Sequence, residues 1–455
     1  MIAVADKMDW TRTGTKLLWA ALVGGSALVL GAGVSMNHWL PVVGLLALPL
    51  VMLWPVQVSL GLFALLIPFD AVSVLGEGRS GMTLTFVVGG AATLVLLFIA
   101  LAGNRLTVPP NAALWWTLFI AWGLASSFWA LDPRLSWDRA PTALALLLMF
   151  LVAVSVRITP KEFSWIEFFT ILGGFTAAVF CAAQFYSGNF YSGTLMRASM
   201  IAGEREEDPN QFALTLLLPL ALALGRLFSS RKRSEKILLA VAVALIGLGL
   251  LLTMSRGALL AILVLLLVFV YKLRASWRVF LPIGILLLVS VVLPESFFDR
   301  LREAVSSRGA GRFDIWIAGL HAAWHHGLWG AGLENFRTAY NDVAGASPVF
   351  RGFARAAHNT YLGLLVEFGV AGLLCFALAI RSHLRDAANV ARSARSVFLL
   401  PYQAAGYSML TAGMFLDIIW RKSFWFCWML LAMATALQKR TSVAVSPAPS
   451  GPIHL

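Results

Sequence analysis

Apolar residues run along this chain in long unbroken blocks, without the alternation of a half-buried strand or the one-sided stripe of a water-soluble helix. A bilayer-crossing helix needs roughly 17 to 25 such residues. Blocks of that kind fall near 17–34, 82–102, 111–130, 140–157, 164–186, 210–228, 236–254, 257–273, 278–293, 358–380, 398–417 and 423–437. The stretch 38–70, broken by Pro41, Pro49, Pro55 and Pro68, reads as a short helical hairpin or a re-entrant pair. The pattern predicts an all-α, polytopic integral membrane protein of about 12 transmembrane helices, 14 at most. One polar interruption, 294–357, has 64 residues, too many for an ordinary helix connection, and predicts a long outer loop with short amphipathic helices. The expected layout is a cytoplasmic segment 1–16, transmembrane helices over 17–293, the loop 294–357, transmembrane helices over 358–437 and a disordered cytoplasmic tail 438–455.

Composition excludes a soluble globular chain: 59% of residues are hydrophobic, 13% are charged and the mean hydropathy is +0.81. The first apolar run is followed by the small residues of "GAGVSM", as a cleaved signal would be, but its length and the many later blocks predict an uncleaved anchor. Cys181, Cys375 and Cys427 all lie inside apolar runs, so they predict packing positions and neither a disulfide framework nor a zinc site. The net charge of +13 comes without any nucleic-acid-binding pattern, so membrane lipids are the expected partner and nucleic acid is not. Nor is there a Gly-rich phosphate loop for ATP.

Basic residues orient the chain. With the amino terminus inside, 20 of the 35 lysines and arginines fall on the cytoplasmic side, including seven of the eight lysines. The outer side holds 14 arginines and one lysine, Lys422. Topology does not distinguish Arg from Lys, whereas binding of phosphate or carboxylate does, through the planar guanidinium fork. Pairing with outer acids or headgroups accounts for most of these arginines; a few are candidates to hold an anionic ligand.

Three outer segments supply them. In "GTLMRASMIAGEREEDPNQF", Asp208 and Pro209 have the spacing of a helix cap and first residue, and Arg197 stands eleven residues upstream of Asp208. The run Glu204, Glu206, Glu207, Asp208 reads as a solvated loop, since consecutive acids without a histidine make a poor metal site. In "LLLTMSRGALLAIL", Arg256 stands at a turn between two apolar runs; a charge there costs free energy that Ser or Asn would not, which marks it as functional. In the long loop, Arg312 opens "GRFDIWIAGLHAAWHH", where Ile315, Trp316, Leu320 and Trp324 recur at approximate helical spacing and predict a helix lying on the membrane surface.

Trp316, Trp324 and Trp329 fit an interfacial belt or sugar stacking, the belt being the commoner arrangement. His321 and His325 stand four apart, but no HExxH pattern accompanies them and His326, which favours a surface role over a metal. His358 stands where an apolar helix begins. The positive end of a helix dipole disfavours the imidazolium, so this histidine is predicted neutral near pH 7, as a general base must be, with capping as the bland alternative.

The order "SRGALL", "GRFDIW", "HGLWGAGLENF", "HNTYLGLLVEFG", on an all-helical membrane chain with one long outer loop, resembles the O-antigen ligase and polymerase superfamily over roughly residues 190–380. The resemblance implies a GT-C-type glycosyltransferase of the bacterial inner membrane with its active site facing the periplasm. It further implies metal-independent, inverting transfer with no cofactor. The implied donor is undecaprenyl-diphosphate-linked O-antigen, and in the ligase branch the acceptor is lipid A-core. On the matching positions, His358 corresponds to the family's loop histidine, Arg256 through Leu260 to its Arg-x-x-x-Leu motif and Arg312 to the arginine before the loop helix; Arg197 is a looser match. His358, Arg256 and Arg312 are thus the expected catalytic residues, with Arg197, Arg256 and Arg312 binding the diphosphate.

The chemistry of the residues agrees, because no DxD motif appears in the outer loops and arginines supply the electrostatic stabilisation that a metal otherwise gives to a diphosphate leaving group. Polymerase and protein O-oligosaccharyltransferase activities of the same superfamily remain open. So does a lipid-linked oligosaccharide flippase, although such a path needs charges along the depth of several helices, and only Glu167 and Glu367 stand out within the spans.

Overall fold

The computed structural model describes residues 53–72, 74–75, 82–192, 196–202, 205–273, 311–345, 350–394 and 396–445. The expected spans at 17–34 and 278–293, the segments 1–16, 38–52, 294–310 and 346–349, and residues 446–455 of the tail lie outside the described residues.

Within them the chain is helical: α1 (Pro55–Leu66), α2 (Leu84–Ala102), α3 (Asn111–Ala125), α4 (Pro133–Val154), α5 (Pro160–Tyr186), α6 (Pro209–Ser229), α7 (Arg233–Leu252), α8 (Arg256–Lys272), α9 (Arg312–His326), α10 (Phe336–Ala344), α11 (Thr360–Ala394), α12 (Leu400–Ala412) and α13 (Lys422–Val445). Seven described segments are long and apolar enough to cross a membrane: Pro55–Val72, α2, α4, α5, α6, α7 and α11. The protein is a polytopic, all-α membrane protein. Two small antiparallel hairpins, Val74–Leu75 with Met82–Thr83 and Ile201–Ala202 with Arg205–Glu206, ornament the helices.

The starts of the helices follow from local chemistry. Thr159 and Glu162 form a reciprocal capping box on α5, and Asp208 caps α6 by accepting from the Asn210 and Gln211 amides, with Pro209 in the first turn. Helix α6 is the centre of the bundle: 78% of its apolar window is buried, against 28% for the peripheral α2. It packs on α5, α7 and α12, while α8 packs on α12 and α3 on α11.

Connections gather at two ends. At one, Arg105 pairs with Glu162, Arg226 with Glu167, and Arg440 donates to the Ile158 carbonyl. At the other, the turns between α5 and α6, α7 and α8, and α12 and α13 meet the segments around α9 and α10.

The apolar block expected as one span over 358–380 departs from expectation. Helix α11 begins at Thr360, with Asn359 accepting from the Tyr361 and Leu362 amides, so His358 stands before the cap. At Gly369 the backbone turns left-handed (φ 63°, ψ −165°). Tyr361 and Phe376 would be about 22 Å apart on a continuous helix, yet their ring centroids lie 6.2 Å apart. Residues 360–368 therefore fold back on the long limb 370–394.

The break is filled by the glycine-rich segment that follows α9. Ala331 N–H donates to the Val366 carbonyl at 2.8 Å, Gly332 N–H to Glu367 at 2.9 Å, and the Trp122 indole to Phe368 at 2.9 Å. Carbonyls released by the broken helix thus regain donors, as burial in an apolar surrounding demands. A side chain on Gly330 would collide with the Glu367 carbonyl, and one on Gly369 with that of Leu328, which is why both positions are glycine.

Candidate active site

Five separated pieces of chain build the site. The turn between α7 and α8 contains Met254 in a left-handed conformation (φ 49°), after which Ser255 caps α8 and Arg256 is its first residue. Arg197 is buried beneath this turn: its Nε donates to the Thr253 carbonyl at 2.8 Å and an Nη to Asn210 Oδ1 at 2.9 Å. Leu260, the last position of the Arg-x-x-x-Leu motif, is 40% exposed.

Arg312 begins α9, after the left-handed Gly311, and an Nη donates to the Phe415 carbonyl at 3.1 Å. Trp316, one turn on, donates to the Ala357 carbonyl at 3.0 Å and packs against Phe415. It thereby fixes the backbone next to His358. His358 is exposed and left-handed (φ 45°), and its amide donates to Asp417 Oδ2 at 3.2 Å. Asp417 comes from the turn between α12 and α13, where Gln211 Nε2 reaches its carbonyl at 3.4 Å.

The electrostatics tie these pieces together. The Arg312 guanidinium is held below its ordinary value by burial and then by the charge of Arg256, with Asp208 and Asp417 pulling the other way. Two guanidiniums close enough to repel, with no ion pair to either among the described residues, make a ready site for a multiply charged anion. Partial desolvation lowers His358; Asp417 opposes this, Arg312 adds to it, and Asp208 and Arg337 make smaller opposing contributions. The net direction is downward, chiefly through desolvation, which favours the neutral imidazole. Burial raises Asp417, while His358 and the His358 and Asn359 amides favour its charged form.

The structure thus brings Arg256, Arg312 and His358 to one place, with Arg197 behind the Arg256 turn. Sequence reasoning missed Asp417, because "MFLDIIWRK" looks like any interfacial connection and its partner is 59 residues away. It also took the acidic run as solvated. Glu207 is instead 5% exposed, because the hairpin at 201–206 turns it inward; its nearest cation, Arg421, is 3.8 Å away, and burial pushes it up to about 8. His321 and His325 are exposed on α9, and Trp324 is exposed to 88%. A cavity of about 580 Å³ lies along the long limb of α11, lined by Tyr361, Phe376, Arg381 and Arg385 among others, and by none of Arg256, Arg312 or His358.

Compared with known families, residues 239–377 match the model described as O-antigen ligase. Over that stretch, 139 of the 455 residues, the chain is similar to the O-antigen ligase family. The stretch contains Arg256, Arg312, His358 and the Gly369 fold-back, whereas Arg197, Asp208 and Asp417 lie outside it and are joined to it by folding. No curated protein matches the chain. The O-antigen ligase match supports an activity of the ligase or polymerase type, that of a glycosyltransferase-like membrane enzyme.

Proposed function

We propose that this protein is an O-antigen ligase that transfers a glycan from undecaprenyl diphosphate to the lipid A-core oligosaccharide on the periplasmic face of the inner membrane. The observation that carries the reading is the gathering of Arg256, Arg312 and His358 around residues 415–417: Gly257, next to Arg256, packs on Phe415, Arg312 donates to the Phe415 carbonyl, and the His358 amide donates to Asp417. Both substrates are lipids, so the membrane brings them together and no soluble catalytic domain is required.

In the reaction, His358 accepts the proton of an acceptor hydroxyl. The oxygen forms its bond to the anomeric carbon from the face opposite the diphosphate, and the carbon–oxygen bond to the diphosphate breaks with inversion. The leaving undecaprenyl diphosphate takes the electron pair, and Arg256 and Arg312 stabilise its charge without a metal. Arg197 supports them from below by holding Thr253 and Asn210. Asp417 clamps the His358 backbone and favours the imidazolium formed in the reaction. Loss of one such charge stabiliser costs about 10² to 10³ in rate.

The test is transfer by the purified protein without ATP and with EDTA. Undecaprenyl-diphosphate glycan is the donor, offered with rough lipopolysaccharide, a second lipid-linked glycan or a pilin. Transfer to rough lipopolysaccharide, lost in Arg256→Ala, is the expected result. Transfer only to the lipid-linked glycan makes the protein a polymerase, transfer only to the pilin a protein glycosyltransferase, and no transfer to any returns a flippase to consideration.

A further inference from the structure

A second constellation lies on the glycine-rich segment that follows α9. The loop after α3 and the glycine-rich loop after α9 are zipped together. Leu131 N–H donates to the Ala331 carbonyl at 3.0 Å, Asp132 N–H to Asn335 Oδ1 at 2.7 Å, and Ser136 to the Leu333 carbonyl at 2.8 Å. At one end of this seam Trp329 stacks on Trp122 at 5.4 Å and meets Trp129 edge-on at 6.2 Å. The rings of Trp329 and Trp129 remain 60% and 38% exposed. At the other end Arg139 grips Glu334 through two bonds, at 2.7 and 2.9 Å, and both side chains are about a third exposed.

Glu334 is held left-handed (φ 62°), as are Met254 and His358. Such a conformation persists where the surroundings impose it, commonly at functional sites. The seam is bonded to the short limb of α11 that follows His358: the Ala331 and Gly332 amides donate to the Val366 and Glu367 carbonyls and the Phe336 amide to Glu367 Oε1 at 3.3 Å, and the charges of Glu334 and exposed Arg337 bear on Asp417 and His358.

We infer that the seam from Trp129 and Trp329 to the Arg139–Glu334 pair and Arg337 is the saccharide subsite of the acceptor. An exposed indole face covers the apolar face of a pyranose. A half-exposed Arg–Glu fork keeps donors and acceptors available for its hydroxyls. Glycine-rich backbone joins the two ends, and Arg337 meets anionic substituents near the reacting hydroxyl. An aromatic belt facing lipid would need neither the ion pair nor the strained glutamate. This inference rests on the transferase reading and adds where the second substrate lies.

The experiment is calorimetric binding of core oligosaccharide, freed from lipid A by mild acid, to the full-length protein in detergent. Trp329→Leu and Arg139→Gln are each expected to weaken binding at least tenfold, with melting temperatures checked against wild type. Trp324→Leu, which removes an exposed tryptophan outside the seam, and Arg256→Ala should leave affinity within twofold. Undiminished binding by Trp329→Leu overturns the inference, as does equal loss in Trp324→Leu or Arg256→Ala, or no binding by wild type. Failure of the transferase reading looks different: oligosaccharide bound as expected, with no glycan transferred to rough lipopolysaccharide.

Discussion

The two ends of the helical bundle both collect arginines, but they use them differently. At the end holding the α4–α5 and α6–α7 connections, two buried acids each hold an arginine: Arg105 lies 2.8 Å from Glu162, and Arg226 lies 2.5 Å from Glu167, which also accepts from the Tyr402 hydroxyl. Those pairs fasten helices. At the other end Arg256 and Arg312 come within reach of one another, and the nearest carboxylates, Asp208 and Asp417, are engaged in capping α6 and clamping His358. A folded chain tolerates like charges in proximity at a cost that a bound anion removes.

The sharpest way to break this comparison is at His358. His358→Gln should lower transfer by about 10² to 10⁴, measured as single-turnover rate with saturating donor; activity near wild type would remove the base from the mechanism. Arg256→Ala should follow with a loss of about 10² to 10³. Arg226→Ala, at the matched end, should instead strip the buried Glu167 of its cation and lower the melting temperature, with transfer per folded molecule preserved. If Arg226→Ala abolished transfer in a folded protein, the distinction between the two ends would fail.

Gly369→Ala probes the fold-back that carries His358. An added methyl group meets the Leu328 carbonyl and the backbone is left-handed, so a destabilisation of more than ~1 kcal/mol is expected in a thermal melt. A melt equal to wild type would count against the docked loop. The smallest effects are on pH dependence. Transfer needs the neutral imidazole, which is complete above its pKa and lost as pH falls through it, so the acid limb should lie below 6.5. Arg337→Gln removes a repulsion and should move the limb up; Asp417→Asn removes an attraction and should move it down. Shifts of opposite sign would refute the placement of these charges.

Some of this was legible in the chain. Block length gave helices α2, α5, α6 and α7 near their true bounds, since a bilayer sets a minimum apolar run whatever the neighbours. Arg256 was visible because a guanidinium between two apolar runs is costly and has to be explained. Asp417 and Glu334 were not visible, because an acid in a short polar connection is ordinary until a partner from elsewhere in the chain is known. Glu207 was misjudged for the same reason: exposure is a property of packing, and four acids within five residues looked solvated.

Hydropathy, being a sum over neighbours in sequence, determined that this protein is helical and lies in a membrane. The motifs placed three candidate residues in order along the chain. Only the tertiary structure decided that α11 reverses at Gly369, that Arg197 lies behind the Arg256 turn, and that Arg256 confronts Arg312 beside His358 and Asp417. Those outcomes depend on contacts between residues tens to hundreds of positions apart, whose energies are set by distance in space and carry no local signature in the order of amino acids.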